Sequence, residues 1–156
     1  QGSPTTNALR EPVRRVHNDL TPDSAERRIR DQLPTDEADR WLERRHAIIN
    51  LWRPLSTVEQ LPLAMCDART IAPDDLVLAT LIYENRVGES YHFHHNPAQG
   101  WYYFPRLSAD ECLLLKIFDS RSDVARMTAH TAFDDPTTTP DAAPRRSIEL
   151  RAIAFW

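Results

Sequence analysis

The sequence contains little glycine and little cysteine. Only three of its 156 residues are glycine, so a glycine-rich loop that cradles a phosphate is not expected. Its two cysteines, Cys66 and Cys112, make neither a disulfide framework nor a zinc-binding pattern. A reducing, cytoplasmic compartment suits two unpaired thiols best. The longest apolar run, Leu76–Tyr83, has eight residues, whereas a membrane-spanning helix needs about 20.

Basic residues are outnumbered by acidic ones. With 19 Lys and Arg against 23 Asp and Glu, the formal net charge is −4. Nucleic acids and anionic membranes are bound by basic surfaces, so neither is an expected partner. The hydrophobic share of 41% and the charged share of 27% are those of a folded domain. The length favours one domain over residues 1–156.

Twelve prolines punctuate the chain, and most intervals between them are too short for long helices. The exception is the segment 22–45, which predicts two short flanking helices. Thr21 suits the N-cap of the first, with Pro22 at its first position. Pro34 ends that helix, and Thr35 suits the N-cap of the second.

The rest of the chain is typical of short strands and turns. Residues 90–94 and 101–104 are aromatic-rich, and the turn sequence between them predicts a hairpin. Residues 113–118 form a strand or, because a capping-box-like sequence precedes them, a helix. Residues 147–155 alternate in polarity, which predicts a half-buried strand. Further strands are expected at 12–19, 47–52 and 76–83. Six to eight short strands with two helices favour a β-sandwich or barrel.

His17-Asn18-Asp19 is the first candidate for chemistry. On a strand, residues two apart point to the same side, so this imidazole and carboxylate can bind one metal ion. Iron(II) oxygenases use two histidines and one carboxylate, which leaves open positions on the metal. The motif needs a third ligand from elsewhere in the chain. The candidates are His46, His92, His94, His95 and His130.

A rival metal site lies within one segment, His92-Phe93-His94-His95. His92 and His94 would share a face of a strand and could chelate a metal without the N-terminal motif. This pattern resembles the His-x-His of cupins. The glutamate that cupins carry a few residues later is absent, since Asn96-Pro97-Ala98-Gln99 stands there.

Two arginines precede the last predicted strand. Arg145 or Arg146 could bind a carboxylate through two parallel hydrogen bonds. The hydroxyl of Ser147, two residues after Arg145, could add another hydrogen bond. The alternative is that both arginines lie at a solvated strand end.

Six short segments, in order, carry a family resemblance: Asn50-Leu-Trp-Arg-Pro54, Leu61-Pro-Leu-Ala-Met-Cys-Asp-Ala-Arg69, Trp101-Tyr-Tyr-Phe-Pro105, Leu115-Lys-Ile-Phe-Asp-Ser120, His130-Thr-Ala-Phe133 and Arg145-Arg-Ser-Ile-Glu-Leu-Arg151. Together they resemble a family of fungal and bacterial hydroxylase/desaturases. It includes the gibberellin desaturase, the aspergillic acid hydroxylase and the cephamycin 7α-hydroxylation component.

The resemblance implies a double-stranded β-helix (jelly-roll, cupin-like fold) and an iron(II)/2-oxoglutarate-dependent dioxygenase. It would hydroxylate or desaturate an unactivated C–H bond of a small molecule in secondary metabolism, using O₂. The resemblance implies His17, Asp19 and His130 as iron ligands. It places Arg145, with Ser147, on the distal carboxylate of 2-oxoglutarate, although Arg146 competes for that role.

Family members usually carry a longer segment before the His-x-Asp motif than this chain does. The chain is therefore expected to lack a family N-terminal segment, and a homodimer could cover the side left open. Two other functions compete with the oxygenase. One is a non-catalytic jelly-roll binding protein, and the other is a cupin-like metalloenzyme that uses His92 and His94.

Overall fold

The computed structural model describes residues 11–84 and 86–156. Two single turns of 3₁₀ helix, Ala68–Thr70 and Pro73–Asp75, precede the fourth strand. In chain order, the strands and α-helices are β1 (His17–Asn18), α1 (Pro22–Arg30), α2 (Thr35–Leu42), β2 (His46–Pro54), β3 (Leu63–Cys66), β4 (Leu76–Tyr83), β5 (Arg86–Phe93), β6 (Trp101–Tyr103), β7 (Leu113–Asp119), β8 (His130–Ala132) and β9 (Ser147–Phe155).

The strands form two antiparallel sheets. The large sheet has the order β4-β5-β1-β8-β3-β6, and the small sheet has the order β7-β2-β9. In the small sheet, β2 pairs with β9 along its whole length, from His46 opposite Phe155 to Pro54 opposite Ser147. A bulge between Ile48 and Ile49 interrupts the pairing of β2 with β7. The short strand β1 lies between β5 and β8, inside the large sheet.

One hydrophobic core joins the two sheets and the first helix. Ile48, Leu115 and Ile117 come from the small sheet, Leu63 from the large sheet and Ile29 from α1. Burying each of these side chains contributes roughly 1.5–3 kcal/mol. The predicted fold, mainly β with two flanking helices, is confirmed.

The two helices begin differently. The backbone N–H of Ser24 donates to Thr21 Oγ1 at 3.1 Å, and the N–H of Thr21 donates to Ser24 Oγ at 2.8 Å. This capping box confirms Thr21 as the N-cap of α1. For α2 the predicted cap is wrong, because Thr35 is already helical and Pro34 holds the cap position without a side-chain hydrogen bond. The extended ψ of Pro34, 148°, turns the chain into the helix one residue earlier.

The hairpin predicted between 90–94 and 101–104 is wrong. Strand β5 pairs instead with β4 and β1, and β6 pairs with β3 at the other edge of the sheet. The connecting loop is attached to the carboxylate of Asp75, which accepts hydrogen bonds from Asn96 Nδ2 and Gln99 Nε2 at 3.0 Å each. This anchor carries the chain across the sheet rather than back along β5.

Residues 113–119 form a strand and not the rival helix. Leu113 and Leu114 pair with Trp52 and Leu51 of β2. The backbone N–H of Ser108 donates to Glu111 Oε2 at 2.9 Å, so the capping-box-like sequence closes a turn just before the strand. Among the described residues, no helix is long and apolar enough to span a bilayer.

The last strand alternates as predicted, but its apolar residues Ile148 and Leu150 lie on the exposed face rather than the buried one. Ile148 and Leu150 are 58% and 64% exposed on the outside of the small sheet. Glu149 and Arg151 lie on the opposite face, where both contact the buried amide of Asn50 although 37% and 31% of their side chains stay exposed. Charged side chains gathered around a buried amide indicate a functional site on this face of the sheet.

Candidate metal centre

Three side chains from two distant parts of the sequence meet at one point of the large sheet. His17 lies on β1 directly opposite His130 on β8, and Asp19 follows β1 immediately. One potential ligand atom from each of the three lies within 4.8 Å of the others. The predicted strand 12–19 is shortened to His17–Asn18, which suffices to hold the pair.

Hydrogen bonds orient the two imidazoles in the same way. His17 Nδ1 lies 2.8 Å from the carbonyl oxygen of Arg15, and His130 Nδ1 lies 2.9 Å from that of Thr128. A carbonyl only accepts, so each Nδ1 carries a proton, and Nε2 is the nitrogen of each ring that is left to bind a metal. This arrangement fixes the tautomer that a metal-binding histidine needs.

The charges of the cluster suit a divalent cation. Burial alone would raise the pKa of Asp19, but the hydrogen bond from His17 and the charge of Arg151 hold it well below its usual range. Burial, aided by the nearby His17, lowers the pKa of His130. Burial also opposes charge on His17, but its hydrogen bond to Asp19 raises its pKa overall. At neutral pH, Asp19 is therefore an anion and His130 a neutral imidazole.

The donor set fits a non-haem iron(II) ion. Two imidazole nitrogens and one carboxylate oxygen on one side of a metal are the ligands of iron(II) oxygenases. His17 and Asp19 line a cleft of about 860 Å³, which is large enough for a small organic substrate. Apolar and basic side chains both line it, among them Leu20, Leu81 and Arg15.

The two arginines before β9 differ sharply in environment. Arg145 is half-buried, and its guanidinium lies over the ring of Trp52, 5.2 Å from the centroid. Its Nη1 donates to the carbonyl of Leu61 at 2.5 Å, while its buried Nε has no hydrogen-bond partner. Burial lowers the pKa of this guanidinium. Arg146 is exposed, and Ser147 is half-buried at the start of β9.

The remaining histidine candidates do not join the cluster. His92 lies opposite His17 and lines the same cleft, whereas His94 lines an apolar groove with His95. The two members of the rival His-x-His pair therefore face different cavities, because β5 ends between them at Phe93. His46 is buried between the rings of Phe118 and Phe155, in the core.

Sequence reasoning missed the partners of the Asp19 carboxylate. Asp19 Oδ2 accepts from Asn50 Nδ2 at 2.7 Å and from Arg151 Nη2 at 2.6 Å. The alternation of β9 places Ser147, Glu149 and Arg151 on one face, and that signal was available in the sequence. Which side of the sheet this face takes depends on packing, which the alternation does not specify.

Three comparisons relate the chain to known proteins. Residues 1–155 match the family described as oxidoreductase/YMDC permease-like domain. The chain is 41% identical over 141 residues to aspirochlorine biosynthesis protein N of Aspergillus oryzae, covering 87% of this chain and 58% of that protein. It is 30% identical over 177 residues to the gibberellin cluster GA4 desaturase of Gibberella fujikuroi, covering 93% and 51%. The chain thus spans about half the length of these relatives.

A solved structure resembles the fold closely. The iron and alpha-ketoglutarate-dependent endoperoxidase NvfI aligns with a TM-score of 0.87 at 33% identity, covering 99% of this chain and 58% of that one. This likeness confirms the jelly-roll fold. The predicted resemblance to a gibberellin desaturase is also confirmed. Resemblance to the aspergillic acid hydroxylase and the cephamycin component stays a prediction.

Proposed function

The chain belongs to the oxidoreductase/YMDC permease-like domain family, and from this premise we propose that it is an iron(II)/2-oxoglutarate-dependent oxygenase. Its reaction would be the hydroxylation or desaturation of an unactivated C–H bond in a small natural product. Relatives carry names of this kind, such as the hydroxylase/desaturase efuI of Hormonema carpetanum. The observation that carries the proposal is the meeting of His17, Asp19 and His130 within 4.8 Å.

We assign the metal to these three side chains. Asp19 would supply a negative charge and His130 the Nε2 of a neutral imidazole. His17 would supply its Nε2 once that nitrogen has lost the proton that it shares with Asp19, and this donor set suits iron(II). Iron(II), with 2-oxoglutarate and O₂, supplies the oxidising chemistry when bound. The chain's own contribution is to hold the metal at the wall of the cleft and to position the substrate beside it.

We assign the distal carboxylate of 2-oxoglutarate to Arg145 rather than Arg146. The half-buried Arg145 is fixed by Trp52 and by the carbonyl of Leu61. Its Nε, buried without a hydrogen-bond partner, is a donor that a bound carboxylate could satisfy. Arg146 is exposed. Ser147, two residues after Arg145 at the start of β9, would add a hydroxyl donor.

Three further expectations, on domain organisation, cellular location and oligomeric state, are also proposals. We treat residues 1–156 as a single jelly-roll domain. A reducing, cytoplasmic location agrees with Cys66 and Cys112 both being free thiols. The homodimer expected from the sequence is tested by measuring the mass of the protein in solution.

The deciding experiment is anaerobic loading with iron(II), followed by 2-oxoglutarate and then O₂. We expect one iron per chain, a metal-to-2-oxoglutarate absorption band before O₂ is added, and succinate afterwards. A protein that takes up no stoichiometric iron would instead be a non-catalytic jelly-roll binding protein. Iron uptake without the absorption band and without succinate would contradict the assignment of 2-oxoglutarate as cosubstrate.

A further inference from the structure

A polar network from the small sheet reaches one oxygen of Asp19. Asn50 Nδ2 donates to Asp19 Oδ2 at 2.7 Å and to Glu149 Oε1 at 2.9 Å. Arg151 donates through Nη2 to the same Asp19 oxygen at 2.6 Å and through Nε to Asn50 Oδ1 at 2.9 Å. The other oxygen, Asp19 Oδ1, lies 3.5 Å from His17 Nε2, on the side of the metal cluster.

The network is fixed by strand register. Asn50 and Arg151 are directly opposed on β2 and β9, and Glu149 lies opposite the neighbouring inward position, Trp52. Asn50 is fully buried. Its amide orientation is determined, because Nδ2 faces two carboxylates and Oδ1 faces a guanidinium. A reversed amide would place an oxygen against both acids.

We propose that Asn50 and Arg151 are positioning residues that hold Asp19 so that it binds the metal through Oδ1 alone. This inference rests on the proposed function. A carboxylate can bind a metal through one oxygen or through both. With Oδ2 held by two donors, only Oδ1 is directed at the cluster, and the positions that 2-oxoglutarate and O₂ need stay open.

Glu149 completes the arrangement from behind. Its Oε1 accepts from Asn50 and lies 3.9 Å from Arg151 Nη2. Arg151 therefore faces two carboxylates, and its charge compensates for their closeness. Because such partners of a metal ligand orient it, their loss commonly weakens metal affinity or activity about 10- to 100-fold.

The test uses Arg151→Met, which removes both donors and keeps the apolar stem. Iron(II) affinity is measured anaerobically by calorimetry, and the metal-to-2-oxoglutarate absorption band is recorded in the same samples. We expect a loss of iron affinity of about 10- to 100-fold and a shifted or weakened band. Arg151→Lys, which keeps the charge, should recover part of the affinity.

Two further variants separate positioning from folding. Asn50→Asp has nearly the same shape but replaces the donor with an acceptor, and should reproduce the loss. Arg53→Met is the matched control, because Arg53 is an exposed arginine of β2 that contacts the carbonyl of Ala109. It should bind iron like the wild type. Thermal unfolding of each metal-free variant identifies any that fail to fold.

The outcomes distinguish this proposal from the one on which it rests. If the wild type binds no iron, the proposed function and the positioning roles both fail. If the wild type binds iron and forms the band, and folded Arg151→Met does the same with unchanged affinity and spectrum, the positioning proposal is overturned. In that case the oxygenase assignment stands.

Discussion

His17 and His130 occupy directly opposed positions on neighbouring antiparallel strands, and their ring centroids lie 4.4 Å apart. Opposed side chains of an antiparallel pair are the closest cross-strand neighbours that a sheet offers. The strand register therefore brings two imidazoles that are far apart in the sequence next to each other. Asp19, two residues after His17, needs no further element to reach the same point.

The first prediction separates the cluster from the other histidines. His130→Ala should abolish stoichiometric iron(II) uptake, because a site with one imidazole and one carboxylate lacks the third ligand of the triad. Iron per chain after anaerobic loading and desalting is the measurement. The double variant His92→Ala/His94→Ala should keep its iron, because these side chains face different cavities.

The reverse pattern would contradict the assignment. Loss of iron in the His92/His94 variant with retention in His130→Ala would favour the cupin-like site. Because His130 is buried, circular dichroism of the metal-free His130→Ala protein must show that the sheets persist.

The second prediction concerns the cosubstrate. Arg145→Met should weaken 2-oxoglutarate binding to the iron-loaded protein by about tenfold to a hundredfold. This loss corresponds to the free energy that a hydrogen bond to a charged group contributes. Titration of the absorption band measures this affinity. Arg146→Met is the matched control, since it removes the neighbouring exposed guanidinium. If Arg146→Met shows the larger loss, the assignment of Arg145 is wrong.

Local chemistry made part of this molecule predictable from its sequence. The cap at Thr21 and the boundaries of β4 follow from neighbouring residues alone. The pair His17 and Asp19 follows from the two-residue repeat of a strand. The failures concern long-range pairing: the loop bound to Asp75 separates β5 from β6.

The polar network around Asp19 could not be predicted from the sequence for a related reason. Alternation in β9 shows that Glu149 and Arg151 share a face, and hydrophobicity suggests that this face is solvated. In the structure this face is partly solvated, but Glu149 and Arg151 also contact the buried Asn50. Local rules of this kind fail most often at functional sites, and a single sequence does not indicate where those sites are.

The third prediction concerns stability against acid. Asp119 is fully buried, with Arg45 Nη2 and Lys116 Nζ each 3.0 Å from its carboxylate. Burial alone would raise its pKa, but these two cations lower it from 3.8 to about 2. A carboxyl whose pKa is lower in the folded than in the unfolded protein stabilises the fold when the pH is above its unfolded-state pKa. This contribution is lost as the pH falls toward the folded-state pKa of about 2.

Asp119→Asn should therefore lower the free energy of unfolding by about 1–3 kcal/mol at neutral pH. The difference from the wild type should shrink as the pH falls below about 4, where the wild-type carboxyl loses its advantage. Urea denaturation at a series of pH values measures both. Asp123→Asn, which removes an exposed partner of Arg121, should have a much smaller effect. A constant difference at every pH would contradict the ion-pair explanation.

The fourth prediction compares two threonines at the starts of the two helices. Thr21 caps α1 through the N–H of Ser24, and its hydroxyl also lies 3.1 Å from Glu89 Oε2. Thr35 is exposed and makes no capping hydrogen bond, because Pro34 occupies the cap position. Thr21→Ala should thus lower the free energy of unfolding by about 1–2 kcal/mol, while Thr35→Ala should leave it nearly unchanged. Urea denaturation at neutral pH measures both variants, and the comparison holds the chemical change constant, since each removes the same hydroxyl and methyl. Equal losses in the two variants would show that Thr35 also stabilises its helix, as the sequence pattern alone predicts.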